Sequence, residues 1–255
     1  MNRAVLLILA NLALVGCGKK TGAGNPPPEA YKDCTGPADC TGGENTWCMK
    51  IGDAGTGKCY PQPREGRPLT IDGEIHVAPF DRAVDATRLH RAVQDEHASI
   101  AAFARTVAEL MALGAPTWLL AETQAAMGDE IRHTERTLAA LEELTGERPV
   151  LGRLEAATRP LARSVEDFFR DVLRGGAVGE TLAAAAADRR HAEHPNALDE
   201  MIFHDESRHA ALAWRTLRWL VEQKPELRRL VAEERDALDL ETRTLVSPLF
   251  EAAFG

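Results

Sequence analysis

Apolar residues recur every three or four positions from Asp81 onward, and this spacing predicts helices over the rest of the chain. The first predicted helix begins at Asp81 or Asp85, since either residue is able to cap it, and it ends at Gly114. The second begins at Pro116, because proline is favoured in the first helical turn, and ends at Gly146. No strand of consequence is predicted after residue 80.

A long polar segment, residues 146–163, separates this pair of helices from a second pair. It is long for a simple turn, but its length suits a connection that runs the height of a helical bundle. The third helix is predicted from Ser164, with Asp167 as a relative of a capping box, to about residue 191. A fourth helix follows Pro195, and a fifth amphipathic helix is predicted from Pro225 to about Thr244.

Four glutamates occupy positions in the apolar stripes of the first four helices where a core leucine would be expected: Glu96, Glu130, Glu180 and Glu206. Burying four unpaired carboxylates would cost several kcal/mol each. A domain that is stable by ~5–15 kcal/mol does not tolerate such a cost. Two divalent cations remove it, because their charge balances the four carboxylates. The alternative is that some of these faces point to solvent.

Two copies of one pentapeptide add histidines to the same stripes. The pattern Asp-Glu-x-Arg-His occurs at Asp129-Glu130-Ile131-Arg132-His133 and at Asp205-Glu206-Ser207-Arg208-His209. A carboxylate and an imidazole three residues apart lie on one face of a helix. The chance expectation for the full string is on the order of 0.01 or below, so two copies indicate a metal site.

Glu, Glu-x-x-His, Glu, Glu-x-x-His in chain order resembles the ligand set of the ferritin-like di-iron carboxylate superfamily, across about residues 81–224. The two Glu-x-x-His copies are more similar to rubrerythrins, acyl-carrier-protein desaturases, multicomponent monooxygenases and tRNA-modifying hydroxylases than to ferritins, which have one. The resemblance implies an all-α fold: a ferritin-like four-helix bundle with a long connection between helices 2 and 3 and a fifth, C-terminal helix. It also implies two iron ions, with manganese as the alternative, held by six ligands: Glu96, Glu130, His133, Glu180, Glu206 and His209.

The remaining motif residues match a further set of contacts in that superfamily. By resemblance, Asp129 and Asp205 each accept a hydrogen bond from the non-ligating nitrogen of the opposite motif's histidine and orient its ring. Arg132 and Arg208 would steady these aspartates, or they are ordinary exposed arginines. Both tyrosines of the chain lie before residue 61, so a tyrosyl radical of the ribonucleotide-reductase kind is not expected.

Three glycines precede the third glutamate of the set: Gly175, Gly176 and Gly179. They either loosen the third helix beside the metals, which would admit a small molecule, or allow close packing of the helix against a neighbour. The sequence favours neither interpretation over the other.

The N-terminus has the pattern of an export signal. Arg3 precedes an apolar run from Ala4 to Val15 that is too short to span a bilayer. The run ends at Leu14-Val15-Gly16-Cys17, which resembles the lipobox of bacterial lipoproteins, whose cysteine is lipidated. We therefore predict a signal peptide over residues 1–16 and a lipidated cysteine with a flexible tether over residues 17–33. The alternative is an ordinary signal peptide with a stray cysteine.

Four further cysteines define a small module over residues 34–60: Cys34, Cys40, Cys48 and Cys59. No Cys-x-x-Cys pair is present, so a rubredoxin-like or zinc-ribbon site is not favoured. In an oxidising compartment two disulfides are expected, and the sequence selects none of the three pairings. Residues 61–80 then form a linker with a short extended segment at Thr70 to Val77, and residues 81–255 form the helical bundle.

Charge and export signal narrow the function classes. The formal charge is −9 with no long basic run, so nucleic acid is not expected as a partner. The signal predicts a lipid-anchored membrane lipoprotein of the bacterial cell envelope that faces the periplasm or the exterior. The resemblance implies a non-haem di-iron oxidoreductase that uses dioxygen or peroxide, a small substrate and an external electron donor. An oligomer is compatible with the sequence.

Two other functions are compatible with the same residues. One is an iron-handling protein of the ferroxidase type with little turnover, and the other is a structural lipoprotein in which the metal site is vestigial. The presence of all six ligands argues against the structural role. Between the enzyme and the iron-handling protein the sequence does not decide.

Overall fold

The computed structural model describes residues 2–13, 33–34, 46–50, 57–61, 66–71, 74–82, 88–158 and 164–255, and most of them are helical, as predicted. The helices are α1 (Arg3–Ala13), α2 (Arg88–Ala112), α3 (Thr117–Thr145), α4 (Val165–Asp171), α5 (Glu180–Glu193), α6 (Ala197–Gln223), α7 (Arg228–Asp236) and α8 (Leu240–Phe254). The strands are β1 (Asp33–Cys34), β2 (Thr46–Lys50), β3 (Gly57–Pro61), β4 (Leu69–Ile71), β5 (Glu74–His76), β6 (Phe80–Arg82) and β7 (Val150–Leu151).

The ends of α3 follow from its flanking residues. Pro116 precedes the helix in an extended conformation, and Gly146 follows it with φ 76°. Glycine adopts this left-handed conformation without the steric penalty of a Cβ, and its N–H then donates to the carbonyl oxygen of Glu142 at 2.8 Å. Both ends are as predicted. A long helix of defined length places the ligands along α3 at fixed heights.

The third predicted helix begins where expected but is not regular throughout. Ser164 Oγ accepts a hydrogen bond from the backbone N–H of Asp167, whose carboxylate accepts one from the N–H of Ser164, so a full capping box starts α4. From Val172 to Gly179 the chain forms a π-helix that continues directly into α5 at Glu180. The wider turn of a π-helix changes which face the following residues present, and such segments are frequent at functional sites.

The core lies between α2, α3, α5, α6 and α8, and α6 contacts most of the other helices. Full burial of a large apolar side chain contributes roughly 1.5–3 kcal/mol, so a few such side chains supply much of the stability. The largest of them in the described residues are Trp214, Phe103, Phe169, Phe203, Ile8, Leu12, Leu69, Leu110, Leu119, Leu141, Leu173 and Leu217.

The N-terminal apolar run forms α1, which packs against α5, α6 and α8. Four of its side chains are buried, namely Ala4, Val5, Ile8 and Leu12. These residues belong to the predicted signal peptide, while Cys17 and the tether as far as residue 32 lie outside the described residues. No helix in the described ranges is both long and apolar enough to cross a membrane.

Two elements correct the sequence prediction. The first long helix begins at Arg88. Asp81 does not cap it, because this residue lies in β6, which pairs with β7 of the long connection, where no strand was expected. Asp85, the alternative cap, lies outside the described residues. The predicted fifth helix is divided into α7 and α8. Asp239 separates them, since its side chain accepts a hydrogen bond from the N–H of Thr242 at 2.8 Å and so caps a new helix.

The predicted linker is packed on the helices. β4 and β5 form an antiparallel hairpin that matches the expected extended segment. Leu69 and Ile71 of β4 are buried against Ala98 and Ala102 of α2. This part of the chain therefore belongs to the same core region as the helix that carries Glu96.

The cysteine module is described only in its strands. β3 pairs with both β1 and β2 in antiparallel register, and Cys48 lies directly opposite Cys59. Cys34 lies in β1 opposite Gly57. Cys40 lies outside the described residues.

Candidate metal centre

The six residues predicted as metal ligands lie together: Glu96 on α2, Glu130 and His133 on α3, Glu180 on α5, and Glu206 and His209 on α6. They form two groups in which one donor atom per residue lies within 4.8 Å of the others; the groups are Glu96, Glu130, His133 and Glu206, and Glu130, Glu180, Glu206 and His209. Glu130 and Glu206 belong to both groups. The cluster therefore consists of two overlapping groups of candidate metal ligands that share two carboxylates.

Five of the six side chains are removed from solvent to a degree that is unusual for polar groups. Glu130, Glu180 and Glu206 are 1%, 1% and 2% exposed, and both histidines are buried equally deeply. The side chain of Glu96 is 18% exposed and marks the more open side of the cluster. Charged residues are almost never buried to this degree unless they are paired or coordinate a metal.

Several donor atoms at the centre of the cluster have no hydrogen-bond partner: Nδ1 of His133 and of His209, both carboxylate oxygens of Glu180, and Oε2 of Glu206. They face one another closely, since His133 Nδ1 lies 3.2 Å from Glu206 Oε1 and His209 Nδ1 lies 3.0 Å from Glu130 Oε1. Buried polar atoms are normally hydrogen-bonded. Lewis-basic atoms that converge on one another without a hydrogen-bond donor between them are suited to binding metal ions. These buried acidic and histidine residues are therefore able to bind metal.

The aspartates of the two motifs orient the histidines across the centre. Nε2 of His133 lies 3.0 Å from Oδ2 of Asp205, and Nε2 of His209 lies 3.0 Å from Oδ2 of Asp129. Each aspartate belongs to the opposite motif, as the resemblance implies. Because Nε2 is occupied by the aspartate, Nδ1 is the nitrogen that faces the buried glutamates and is free to bind a metal ion.

Two arginines connect these aspartates at the protein surface. Arg132 binds Asp129 and lies 3.5 Å from Asp205, while Arg208 binds Asp205 and lies 3.3 Å from Asp129. The arginine side chains are 54% and 52% exposed. The sequence left open whether these arginines steady the aspartates or are ordinary exposed residues. In the structure they are exposed and also bind the aspartates.

The electrostatics of the cluster favour bound protons when no cation is present. Burial raises the pKa of Glu96 to about 8, although the nearby His133 imidazole opposes the shift. Burial and the adjacent Glu206 carboxylate raise the pKa of Glu180 well above its ordinary value. Burial alone would lower the pKa of His133 and of His209, but the hydrogen bonds to Asp205 and Asp129 and the neighbouring glutamates raise both. Divalent metal ions would displace these protons.

One contact to the centre was missed by sequence reasoning. Gly66 lies in the predicted linker, and its N–H donates to the carbonyl oxygen of Gly179 at 3.1 Å. A Cβ atom on Gly66 would lie 4.0 Å from Oε2 of Glu180. The available signal was the alternation of Leu69 and Ile71, which predicts a strand with one buried face but does not say what the face covers.

Replacing Asp205 by asparagine is expected to weaken metal binding about 10–100-fold, because the neutral amide supports the His133 ring less strongly. The measurement is competition with a chromogenic chelator for Zn²⁺, which requires no redox chemistry. Asp236→Asn is the matched control, since Asp236 is exposed on α7 and pairs only with its neighbour Arg235 in the described structure. Equal affinity of wild type and Asp205→Asn would show that the aspartate does not support the ligand.

The described residues thus place a buried cluster of carboxylates and imidazoles on four helices, with aspartates behind both histidines. Its six members are the residues that the two motifs and the apolar stripes predict. The chain matches no family model, and neither a curated protein nor a solved structure is significantly similar to it.

Proposed function

We propose that the protein is a non-haem di-iron protein that reacts with dioxygen or peroxide and oxidises a small substrate. The observation that carries the proposal is the pair of four-residue donor groups that share Glu130 and Glu206. A donor set of carboxylates and imidazoles suits iron first and manganese second. Zinc would fit the same donors but would supply no redox chemistry.

The proposal includes a ferritin-like four-helix bundle, formed by α2, α3, the α4–π–α5 segment and α6. Two observations support it. One ligand-bearing helix follows another in the order Glu, Glu-x-x-His, Glu, Glu-x-x-His, and a long connection joins α3 to α4. In bundles of this class, inward-facing Glu and Glu-x-x-His side chains build the metal site in the core.

The chain's own residues prepare the centre for this chemistry. Two bound iron ions would supply the electrons for reduction of dioxygen or peroxide, and an external donor would restore them. Glu130 and Glu206 belong to both donor groups and would help to hold both ions, while Asp129 and Asp205 hold the histidine rings in place. Burial of Glu130, Glu180 and Glu206 keeps bulk water away from the centre, and because the pKa of Glu96 is raised to about 8, a metal ion that binds this carboxyl near neutral pH must displace its proton.

The second candidate is an iron-handling protein that oxidises ferrous iron with little turnover. Gly66 covers one side of the centre, since a Cβ atom on it would lie 4.0 Å from Oε2 of Glu180. A covered centre suits a reaction in which iron and dioxygen or peroxide are the reactants. The two candidates share the same ligands and differ in whether an organic substrate is consumed.

Anaerobic titration of the full-length protein with Fe²⁺, followed by dioxygen or peroxide, tests both candidates. Two irons per chain with repeated consumption of oxidant in the presence of a reductant support the oxidoreductase. Two irons with a single slow oxidation support iron handling. Absence of stoichiometric iron would overturn both candidates and leave a structural role.

We also propose a lipid anchor on Cys17 at the bacterial envelope and two disulfides in the cysteine module. The short apolar run that ends at Cys17 supports the anchor. The register of β2 and β3 supports a Cys48–Cys59 bridge. Residues directly opposite in an antiparallel pair have Cα atoms about 4.5–5.5 Å apart, which is within the range of disulfides. Cys34 would then pair with Cys40.

A further inference from the structure

Residues Gly66–Ile71, here called the strap, cross the face of the helical domain beside the metal centre. At one end the N–H of Gly66 donates to Gly179 O at 3.1 Å, one residue before Glu180. The hydroxyl of Ser99 on α2 donates to the carbonyl oxygen of Arg67 at 2.9 Å. The strap therefore bridges α2 and the π-helix, which are the elements that lead to Glu96 and Glu180.

Arg67 points from the strap into the protein. Only 7% of the residue is exposed, and its guanidinium carbon lies 4.6 Å from the centre of the Phe103 ring. The Phe103 ring in turn meets the ring of His209 edge-on, with their centres 5.3 Å apart. A single aromatic ring thus separates the buried guanidinium from a metal ligand.

The glycines of the π-helix make room for the strap. A Cβ atom on Gly176 would lie 2.8 Å from Nη2 of Arg67 and 3.0 Å from Cβ of Ala213 on α6. A Cβ atom on Gly175 would lie 3.2 Å from Cδ of Pro68. Both glycines are therefore explained by close packing, and the strap forms a large part of the surface against which they pack.

We propose that Arg67 determines the ligand specificity of the metal centre: its side chain closes the π-helical side and restricts exogenous ligands to small ones, such as peroxide or azide. The inference rests on the proposed function, because it concerns ligands of bound metal ions. A larger organic ligand that approaches from this side meets the Arg67 side chain wedged between Phe103 and Gly176. Truncating that side chain to alanine opens a passage, whereas methionine, the longest unbranched apolar side chain, fills the space along which the arginine stem runs.

The test uses the full-length protein loaded with iron and oxidised to the ferric state. Azide and benzoate are titrated separately, and binding is followed by ligand-to-metal charge-transfer absorption. The wild type is expected to bind azide and to exclude benzoate. In Arg67→Ala the affinity for benzoate is expected to rise at least tenfold with unchanged iron content, while Arg67→Met remains like wild type. Arg136→Ala is the matched control, because Arg136 is an exposed arginine on α3.

A second measurement does not depend on ligand binding. The rate at which a bulky chelator, bathophenanthroline disulfonate, removes Fe²⁺ is expected to rise at least tenfold in Arg67→Ala. Gly176→Ala should have the same effect, since its methyl group displaces the guanidinium. This variant also tests the role of Arg67 if Arg67→Ala does not fold. Gly128→Ala is its control, because a Cβ there meets no atom within 4 Å.

The outcomes separate this inference from the proposed function. If the wild type binds no iron, both are overturned. If the wild type binds two irons, but the benzoate affinity and chelation rate of the Arg67→Ala and Gly176→Ala variants match those of wild type, the centre stands and the role of Arg67 is refuted. If Arg67→Met admits benzoate as readily as Arg67→Ala, the barrier depends on charge and not on the size of the side chain, and the steric inference fails.

Discussion

Glu206→Ala is expected to lose both metal ions, because Glu206 belongs to both donor groups, whereas His209→Ala is expected to lose one. A site held at a hundredfold excess of metal over Kd contributes about 2.7 kcal/mol to the folded state. In a protein of this size ~1 kcal/mol corresponds to about 2–4 °C in Tm. Each lost site should therefore remove roughly 5–11 °C of the metal-dependent rise in Tm.

Inductively coupled plasma analysis of metal content and thermal melts with and without Zn²⁺ measure this result. His204→Ala is the matched control for His209→Ala, because His204 is exposed on the same helix one and a half turns earlier. The control should retain two ions and the full shift in Tm. If Glu206→Ala and His209→Ala both keep two ions, the ligand assignment is wrong.

The six candidate ligands could be predicted because helical geometry converts spacing into position. Glu130 and His133 are three residues apart, so they lie on one face of α3, and the apolar residues of the same stripe show that this face is buried. The same holds for Glu206 and His209 on α6. The apolar periodicity and the motif spacing can both be read from a short stretch of sequence, and together they determine which face of the helix is buried.

Helix ends were predictable where a single residue determines them. Gly146 and Ser164 have backbone or side-chain chemistry that favours a helix terminus regardless of the tertiary fold. Asp239 has the same chemistry, but it lies inside a segment whose apolar periodicity predicts one continuous helix, whereas the structure divides this segment into α7 and α8. A cap residue inside a periodic segment is therefore a signal that periodicity alone overlooks.

The π-helix and the strap depend on contacts between distant parts of the chain. Gly175 and Gly176 permit the close approach of Pro68 and Arg67, which lie more than 100 residues earlier. Glycine in a helix indicates flexibility or close packing, but it does not identify the neighbour. The linker composition likewise does not show that Arg67 is buried. These features follow from tertiary packing, for which a single sequence contains no direct signal.

Without metal, the protein is expected to lose stability as the pH rises from about 5 to about 9. Over the same range the stability of the metal-loaded protein should increase relative to that of the metal-free protein. The pKa of Glu96 is raised from 4.5 to about 8, so its contribution to stability is present below 4.5 and is lost as the pH rises through 8. The raised pKa values of both histidines act in the same direction above 6.5. Asp129, with its pKa lowered to about 2, loses its contribution only as the pH falls through that value.

Thermal melts at several pH values, with EDTA or with saturating Zn²⁺, measure the two curves. Each pKa unit corresponds to about 1.4 kcal/mol, so even half of the Glu96 shift should lower Tm by roughly 5–10 °C in the metal-free protein. Glu96→Gln should flatten this slope, because an amide does not titrate. Glu143→Gln, an exposed position on α3, should leave it unchanged. If Tm depended on pH in the same way with and without metal, the expectation would be contradicted. Metal ions that bind these carboxyls and imidazoles must displace their protons, and this displacement changes the pH dependence.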